Sequence, residues 1–173
     1  MPQTIAHAVA GNQLGLGRKG LKLPTGLRAG QKLGLMLRNL TLPVRNVDDF
    51  DDLRIPFRAV ATDIATGNRV VLDHGDLARA LRASMAIPTA FSAVEIDGKL
   101  LVDGGVSDNV PVDVVREMGA DFVIAIDIGT PLIAGADVGR SYLTILSQTL
   151  GFMTRANMAP QLAAADLVIT PAV

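Results

Sequence analysis

The segment KLLVDGGVSDNVPVDVV, from Lys99 to Val115, decides how this chain folds, because it holds a strand, a tight turn and the start of a helix. Its first residues form an apolar run typical of a strand, and the Asp97-Gly98 pair before them is a strong signal for a hairpin turn. Pro111 fits the first turn of a helix, where its missing N–H needs no partner, and Gly119 fits the left-handed end. We therefore predict a hairpin strand, a glycine turn and a helix over 112–118.

Asp103 lies where the predicted strand ends, and Gly104 and Gly105 follow it. Glycine frees the backbone to turn sharply at an entropic cost, so a glycine pair here needs a reason. One interpretation is that the turn presents Asp103 as a catalytic carboxylate. The other is that Asp103 only accepts hydrogen bonds from the amides of its own turn. The spacing leaves both interpretations open.

The sequence before this segment predicts two more strands and two helices. PFRAVATDI and NRVVLD are strand-like, and the ATGN turn between them makes Asp63 a turn-former rather than a catalytic group. Asp76 is a good N-cap for the helix LARALRASMA, which Pro88 ends. QKLGLMLRNL, residues 31–40, predicts a short amphipathic helix, whereas the glycine-rich residues 11–30 predict a loop.

The sequence after the segment continues the alternation of strand and helix. FVIAIDI is a β-branched run typical of a strand buried on both faces. Ser141 is the expected cap of a long helix that ends at about Ala159, and DLVIT is a last strand. This order favours an α/β fold with a partly parallel sheet.

Composition excludes several classes of site. The 173 residues contain no cysteine and two histidines, His7 and His74, which excludes thiolate chemistry and a histidine-based metal site. We expect His74, in a turn beside acids, to be structural or solvated. GLGRKG matches G-x-G-x-x-G, but Pro24 and Gly26 follow it instead of a helix, so no cofactor is expected. No signal peptide and no run of about 18 or more apolar residues is found.

Charge is distributed unevenly along the chain. Residues 1–47 contain seven cations and no acid, whereas the remainder has 9 basic and 17 acidic residues. The two parts could neutralise one another across the fold, or the basic part could meet an anionic membrane surface. Nucleic acid is not an expected partner, because no stacking aromatics are interleaved with the cations. Within residues 18–45 the apolar positions that could enter a membrane or pack into the core are Leu33, Leu35, Met36, Leu37, Leu40 and Leu42.

Three blocks of the sequence resemble the patatin-like phospholipase family. They are RAVATDIATG at 58–67, RASMAIPTAF at 82–91 and LLVDGGVSDNVPVDVVREMGAD at 100–121, and the resemblance extends over roughly Gly26 to Ile169. The stretch Leu23 to Val44 is similar to bacterial patatin domains that precede an outer-membrane barrel, which would imply the cell envelope or secretion; otherwise the cytoplasm is expected. The resemblance implies a three-layer α/β/α sandwich and hydrolysis of phospholipids or other acyl-ester lipids.

In that family a serine–aspartate dyad performs the reaction, and the resemblance gives the general-base role to Asp103. Gly104, Gly105 and Asn109 would form its supporting turn. The nucleophile of such enzymes lies in G-x-S-x-G, which none of the serines here matches. No triple-glycine loop is present either. The five serines are Ser84, Ser92, Ser107, Ser141 and Ser147.

Both missing motifs lie N-terminal to the matched blocks in the family. The expectation is therefore a single partial patatin domain over residues 1–173, without its first strand–helix units and with residues 1–25 poorly assigned. Such a chain would be inactive by itself. The alternative is a non-catalytic module that binds lipid or another protein.

Overall fold

The computed structural model describes residues 15–17, 20–22, 30–88, 90–129 and 142–171. Its main sheet has four antiparallel strands formed by two hairpins. The first hairpin joins β3 (Ala59–Asp63) to β4 (Arg69–Leu72), and the second joins β5 (Val94–Ile96) to β6 (Lys99–Asp103). The strand order β4-β3-β6-β5 places Asp103 opposite Ala61 at the centre of the sheet.

Local turn chemistry explains both hairpins. Asp97 and Gly98 have φ angles of 50° and 72°, the positive values that a tight two-residue hairpin turn requires. In the other turn the Asp63 carboxylate accepts hydrogen bonds from the Ala65 N–H at 3.0 Å and the Thr66 hydroxyl at 3.1 Å. The predicted role of Asp63 as a turn-former is therefore confirmed.

One helix packs on this sheet, and a second helix lies against the first. The helix α2 (Leu77–Ser84) begins where the Asp76 carboxylate accepts from the Arg79 N–H at 3.2 Å, as predicted, and ends before Pro88. The helix α1 (Gln31–Thr41) lies against α2 and confirms the helix predicted over 31–40. Between α2 and the strands lies a hydrophobic core of buried residues, comprising Phe50, Ala59, Ala61, Leu72, Ala80, Ala83 and Leu101.

The second half of the chain forms a strand–helix layer of its own. The helix α3 (Val112–Glu117) follows Pro111 and ends near Gly119, whose φ of 92° confirms the predicted left-handed end. The strands β7 (Ile124–Ile126) and β8 (Leu167–Ile169) pair in parallel, and α4 (Tyr142–Ala164) lies between them in sequence. Together with the first half this is a mixed α/β fold, as the sequence predicts.

Three predictions about elements need correction. The run FVIAIDI is buried on one face only: Ala125 is buried, but Ile124 and Ile126 are 54% and 60% exposed, since no described element covers that face. The helix α4 continues through Pro160 to Ala164, five residues beyond its expected end. Leu162, which packs against the buried cluster of Val112, Val123 and Ala125, holds this last turn in place.

The third correction concerns the glycine-rich residues 11–30, which were predicted to form a loop. They contain a small antiparallel hairpin of β1 (Gly15–Gly17) and β2 (Gly20–Lys22), in which Leu16 pairs with Leu21. Backbone pairing needs no side chain, so glycine does not prevent it. The predicted helix cap Ser141 lies outside the described residues, as do His7, Pro24 and Gly26. No helix among the described residues is long and apolar enough to cross a membrane.

Candidate active site around Asp103

Asp103 ends β6 at the point where the chain enters a 3-10 turn over Gly104–Val106. Its backbone N–H donates to the Ala86 carbonyl at 3.1 Å, which ties the strand end to the segment after α2. Its carboxylate oxygen Oδ1 accepts from the Gly105 N–H at 2.8 Å, whereas Oδ2 has no hydrogen bond to a described residue. Burial raises the pKa of the Asp103 carboxyl, and the hydrogen bond from the Gly105 N–H acts in the opposite direction with a smaller effect.

The two glycines after Asp103 are required for space and not for an unusual backbone angle, because neither has a positive φ. A Cβ on Gly104 would lie 2.2 Å from the Val60 carbonyl oxygen in β3. A Cβ on Gly105 would lie 2.8 Å from Oδ1 of Asn109 and 3.0 Å from Oδ1 of Asp103. The close approach of the turn to β3 therefore requires glycine at 104, because the obstacle there is backbone. A side chain at 105 would instead displace the Asn109 and Asp103 side chains.

Two hydroxyls fasten the turn to the sheet. The Thr62 hydroxyl lies 2.8 Å from the Asp103 carbonyl oxygen and 2.8 Å from the Ser107 hydroxyl. Because the single hydroxyl proton of Thr62 goes to the carbonyl, Ser107 must donate to Thr62 or, at 3.4 Å, to the Gly104 carbonyl. The Ser107 hydroxyl consequently serves the turn and is not directed at the Asp103 carboxylate.

An ion cluster that the sequence did not reveal fixes the end of the same turn. Arg69 in β4 lies 2.5 Å from a carboxylate oxygen of Asp108 and 2.7 Å from one of Asp113. Asp108 is buried, and its other oxygen, Oδ1, has no partner among the described residues. The hydrogen bonds that the Arg69 guanidinium donates to Asp108, and next to Asp113, raise its pKa. Asp108 and Asp113 lie 39 and 44 positions after Arg69 in the sequence, so no local pattern indicates this cluster.

Asn109 connects the turn to α4. Its amide Nδ2 lies 3.1 Å from the Met158 sulfur, and the nearby Asn157 amide donates to the Val106 carbonyl at 3.1 Å. The helix thus lies across the turn that carries Asp103. The structure brings Asp103, Gly104, Gly105 and Asn109 together at this one place.

A cleft of about 370 Å³ opens between the Asp103 turn and α4. Asp103, Gly105 and Asn109 line one side of it, and most of its other walls are apolar. A cavity of this size suits part of a small ligand or an acyl chain. Its remaining lining residues are Ile87, Pro88, Val106, Leu150, Gly151, Thr154, Arg155 and Met158.

No nucleophile stands beside Asp103 in the described part of the chain. No described hydroxyl donates to its carboxylate, and Ser141 and the side chain of Ser147 lie outside the description. His74 is exposed and lies 2.5 Å from its neighbour Asp73, which agrees with the prediction that it is structural or solvated. Among the described residues no acidic or histidine cluster could hold a metal ion.

Comparisons with known proteins identify relatives of this chain. A family model described as patatin-like phospholipase matches residues 9–116, which include the whole Asp103 turn. An uncharacterised NTE family protein of Mycobacterium tuberculosis is 37% identical over 103 residues, 60% of this chain and 28% of that protein. Patatin-like phospholipase domain-containing protein 7 of Mus musculus is 44% identical over 82 residues, 46% of this chain and 6% of that protein. The corresponding protein 6 of Homo sapiens is 43% identical over the same lengths. The chain thus spans 28% of the length of its mycobacterial relative.

Proposed function

The chain belongs to the patatin-like phospholipase family, and from this we propose that it serves the hydrolysis of lipid acyl esters with Asp103 as general base. The observation that carries the proposal is the state of the Asp103 carboxylate. One of its oxygens is committed to the Gly105 N–H, and the other has no described partner at a largely apolar cleft. A carboxylate in such surroundings can accept a proton from a nucleophilic hydroxyl placed beside it.

The proposed reaction needs a hydroxyl nucleophile placed at Oδ2 of Asp103. As the hydroxyl oxygen attacks the ester carbon, its proton passes to Oδ2, and the neutral acid then returns the proton to the departing alkoxide. Burial helps the first step because it raises the pKa of Asp103 and so makes the carboxylate a stronger base. Water removes the acyl group in a second cycle in which Asp103 takes the water proton.

The 173 residues contain neither G-x-S-x-G nor a glycine triplet for the oxyanion. We therefore expect this chain to hydrolyse p-nitrophenyl esters and phospholipids no faster than buffer, and Asp103→Asn to leave that background unchanged. Turnover by the chain that disappears in Asp103→Asn would contradict this expectation and would point to a nucleophile within these residues. Asp63→Asn is the matched control, since it alters a turn carboxylate away from the cleft.

A second candidate function is a non-catalytic module that binds lipid or completes another chain. It is favoured by the same observation that no described hydroxyl meets Asp103. The coding sequence upstream in the same frame distinguishes the two. A G-x-S-x-G segment there supports the hydrolase, and a protein that includes it should lose ester hydrolysis in Asp103→Asn. Its absence supports the module.

We also propose that α1 lies on an anionic membrane surface. Leu33 and Leu37 pack inward, but four apolar residues of the predicted set point to solvent: Leu35, Met36, Leu40 and Leu42 are 62%, 58%, 65% and 51% exposed. The exposed cations Lys32, Arg38 and Arg45 surround them, and no described acid pairs with these cations. Each cation near an anionic surface contributes about 1 kcal/mol, which salt reduces.

Vesicle binding tests this surface. We expect binding to vesicles that contain phosphatidylglycerol, little binding to phosphatidylcholine alone, and loss with added salt. The double variant of Lys32→Gln and Arg38→Gln should weaken binding. The matched double variant of Arg54→Gln and Lys99→Gln, which removes the same charge elsewhere, should bind as the unaltered chain does. Equal binding to both vesicle types would show that binding through α1 does not depend on the charge of the lipid head groups.

A further inference from the structure

The cleft at Asp103 has a cation on its far wall, Arg155, that forms no ion pair with the described residues. Arg155 lies on α4, where Leu150, Thr154 and Met158 repeat every fourth residue and Gly151 and Arg155 flank them on the same side. This face of α4 forms the cleft wall opposite the Asp103 turn. Residues 142–164 lie outside the stretch that matches the family model.

Arg155 has no hydrogen bond or ion pair with any described residue, in contrast to Arg58, Arg69 and Arg116, each of which pairs with an aspartate. Asp103 is not its counter-ion either. No described cation forms an ion pair with the Asp103 carboxylate. The guanidinium of Arg155 is therefore available to a ligand that enters the cleft.

The cleft wall beside Arg155 also leaves space for such a ligand. Gly151 stands in the interior of a 23-residue helix, where glycine costs about 1 kcal/mol relative to alanine. It lines the cleft one turn before Arg155, so the wall carries no side chain at that point. Leu150, Met158 and Ile87 supply apolar surface nearby.

We propose that Arg155 binds the anionic head group of an amphiphile whose acyl chain lies along the apolar wall of the cleft. This rests on the proposed function and specifies its substrate class: acyl esters that carry a negative charge close to the ester. A guanidinium suits this task because its planar fork binds two oxygens of a phosphate or carboxylate at once. Asp103 on one side of the cleft and Arg155 on the other then orient the ligand, with the ester towards Asp103 and the head group towards α4.

The test measures binding of single lipid molecules to the whole chain, below the micelle concentration so that no interface forms. The probes are dihexanoyl phosphatidic acid, hexanoic acid and neutral dihexanoylglycerol, and the readout is the amide NMR shift of Gly105. We expect phosphatidic acid to bind roughly tenfold more tightly than the neutral glyceride, the ratio that one good charged hydrogen bond gives. Comparison with hexanoic acid shows whether a phosphate or any anion is sufficient.

Variants show whether Arg155 is responsible. Arg155→Gln should abolish the preference for the anionic probe while binding of the neutral glyceride stays the same, and Arg155→Lys should restore part of it. Arg54→Gln, an exposed arginine away from the cleft, should change neither. Equal binding of charged and neutral probes, or a preference that survives in Arg155→Gln, overturns this inference but leaves the proposed lipid hydrolysis standing. If none of the probes shifts Gly105, both the inference and the assignment of the cleft as the lipid site are wrong.

Discussion

Gly104→Ala should destabilise the chain by about 3 kcal/mol, the upper end of the usual cost of overpacking. A Cβ at Gly104 would lie 2.2 Å from the Val60 carbonyl oxygen, and ordinary contact begins at 3.4 Å, so the backbones must separate by 1.2 Å (3.4 minus 2.2). The obstacle is the backbone of β3, which no rotamer change can move. Separation also lengthens the hydrogen bond from the Thr62 hydroxyl to the Asp103 carbonyl, now 2.8 Å. At about 2–4 °C per kcal/mol, the melting temperature should fall by about 6–12 °C.

Urea unfolding followed by far-UV circular dichroism measures this loss, with Gly34→Ala as the matched control. Gly34 lies inside α1 with nothing within 4 Å of its added Cβ, so alanine should stabilise the helix by about 1 kcal/mol. The same chemical change is thus expected to have opposite signs at the two positions. A Gly104→Ala protein within about 0.5 kcal/mol of the unaltered chain, the range of a neutral surface change, would refute the close approach of turn and sheet.

Three further results are expected. Because burial raises the pKa of Asp103, the stability that its neutral form gives is complete below the unfolded value of about 3.9 and is lost as the pH rises through the folded pKa. Asp103→Asn keeps an oxygen for the Gly105 N–H and cannot ionise. Urea unfolding should therefore show it to be more stable than the unaltered chain at pH 7 and equal to it at about pH 3, below the unfolded pKa; lower stability at pH 7 would contradict this. Arg69→Gln leaves the buried Asp108 carboxylate unpaired and should lower the free energy of unfolding by about 3 kcal/mol. Asp113→Asn removes the more exposed partner of Arg69 and should lower it by under about 1 kcal/mol. Equal losses in urea unfolding would show that Asp108 needs no counter-ion. The face of β7 and β8 that exposes Ile124 and Ile126 should bind the dye anilinonaphthalene sulfonate. Ile126→Lys should reduce the dye fluorescence more than Ile64→Lys, which alters an exposed isoleucine outside that face. A monodisperse chain without dye binding would argue against an accessible face.

Local features of this protein are determined by its sequence because they depend on a few neighbouring residues. The Asp97-Gly98 turn follows from which residues tolerate positive φ, and the Asp76 cap from the unpaired N–H groups at a helix start. The position of Asp103 at the end of a strand follows from an apolar run and a turn signal. All of these are visible within about a dozen residues of sequence.

Only the tertiary structure decided what surrounds Asp103. It placed Arg69 beside Asp108 and Asp113, put Arg155 on the wall opposite, and showed that Gly104 is needed for its closeness to Val60. It also left Ile124 and Ile126 exposed although their sequence is typical of a buried strand. An alternating or apolar pattern states which residues avoid water, but not which strand or helix lies against them. The ion pairs, the cleft and the steric need for glycine each join residues far apart in sequence, so they exist only once the elements have packed.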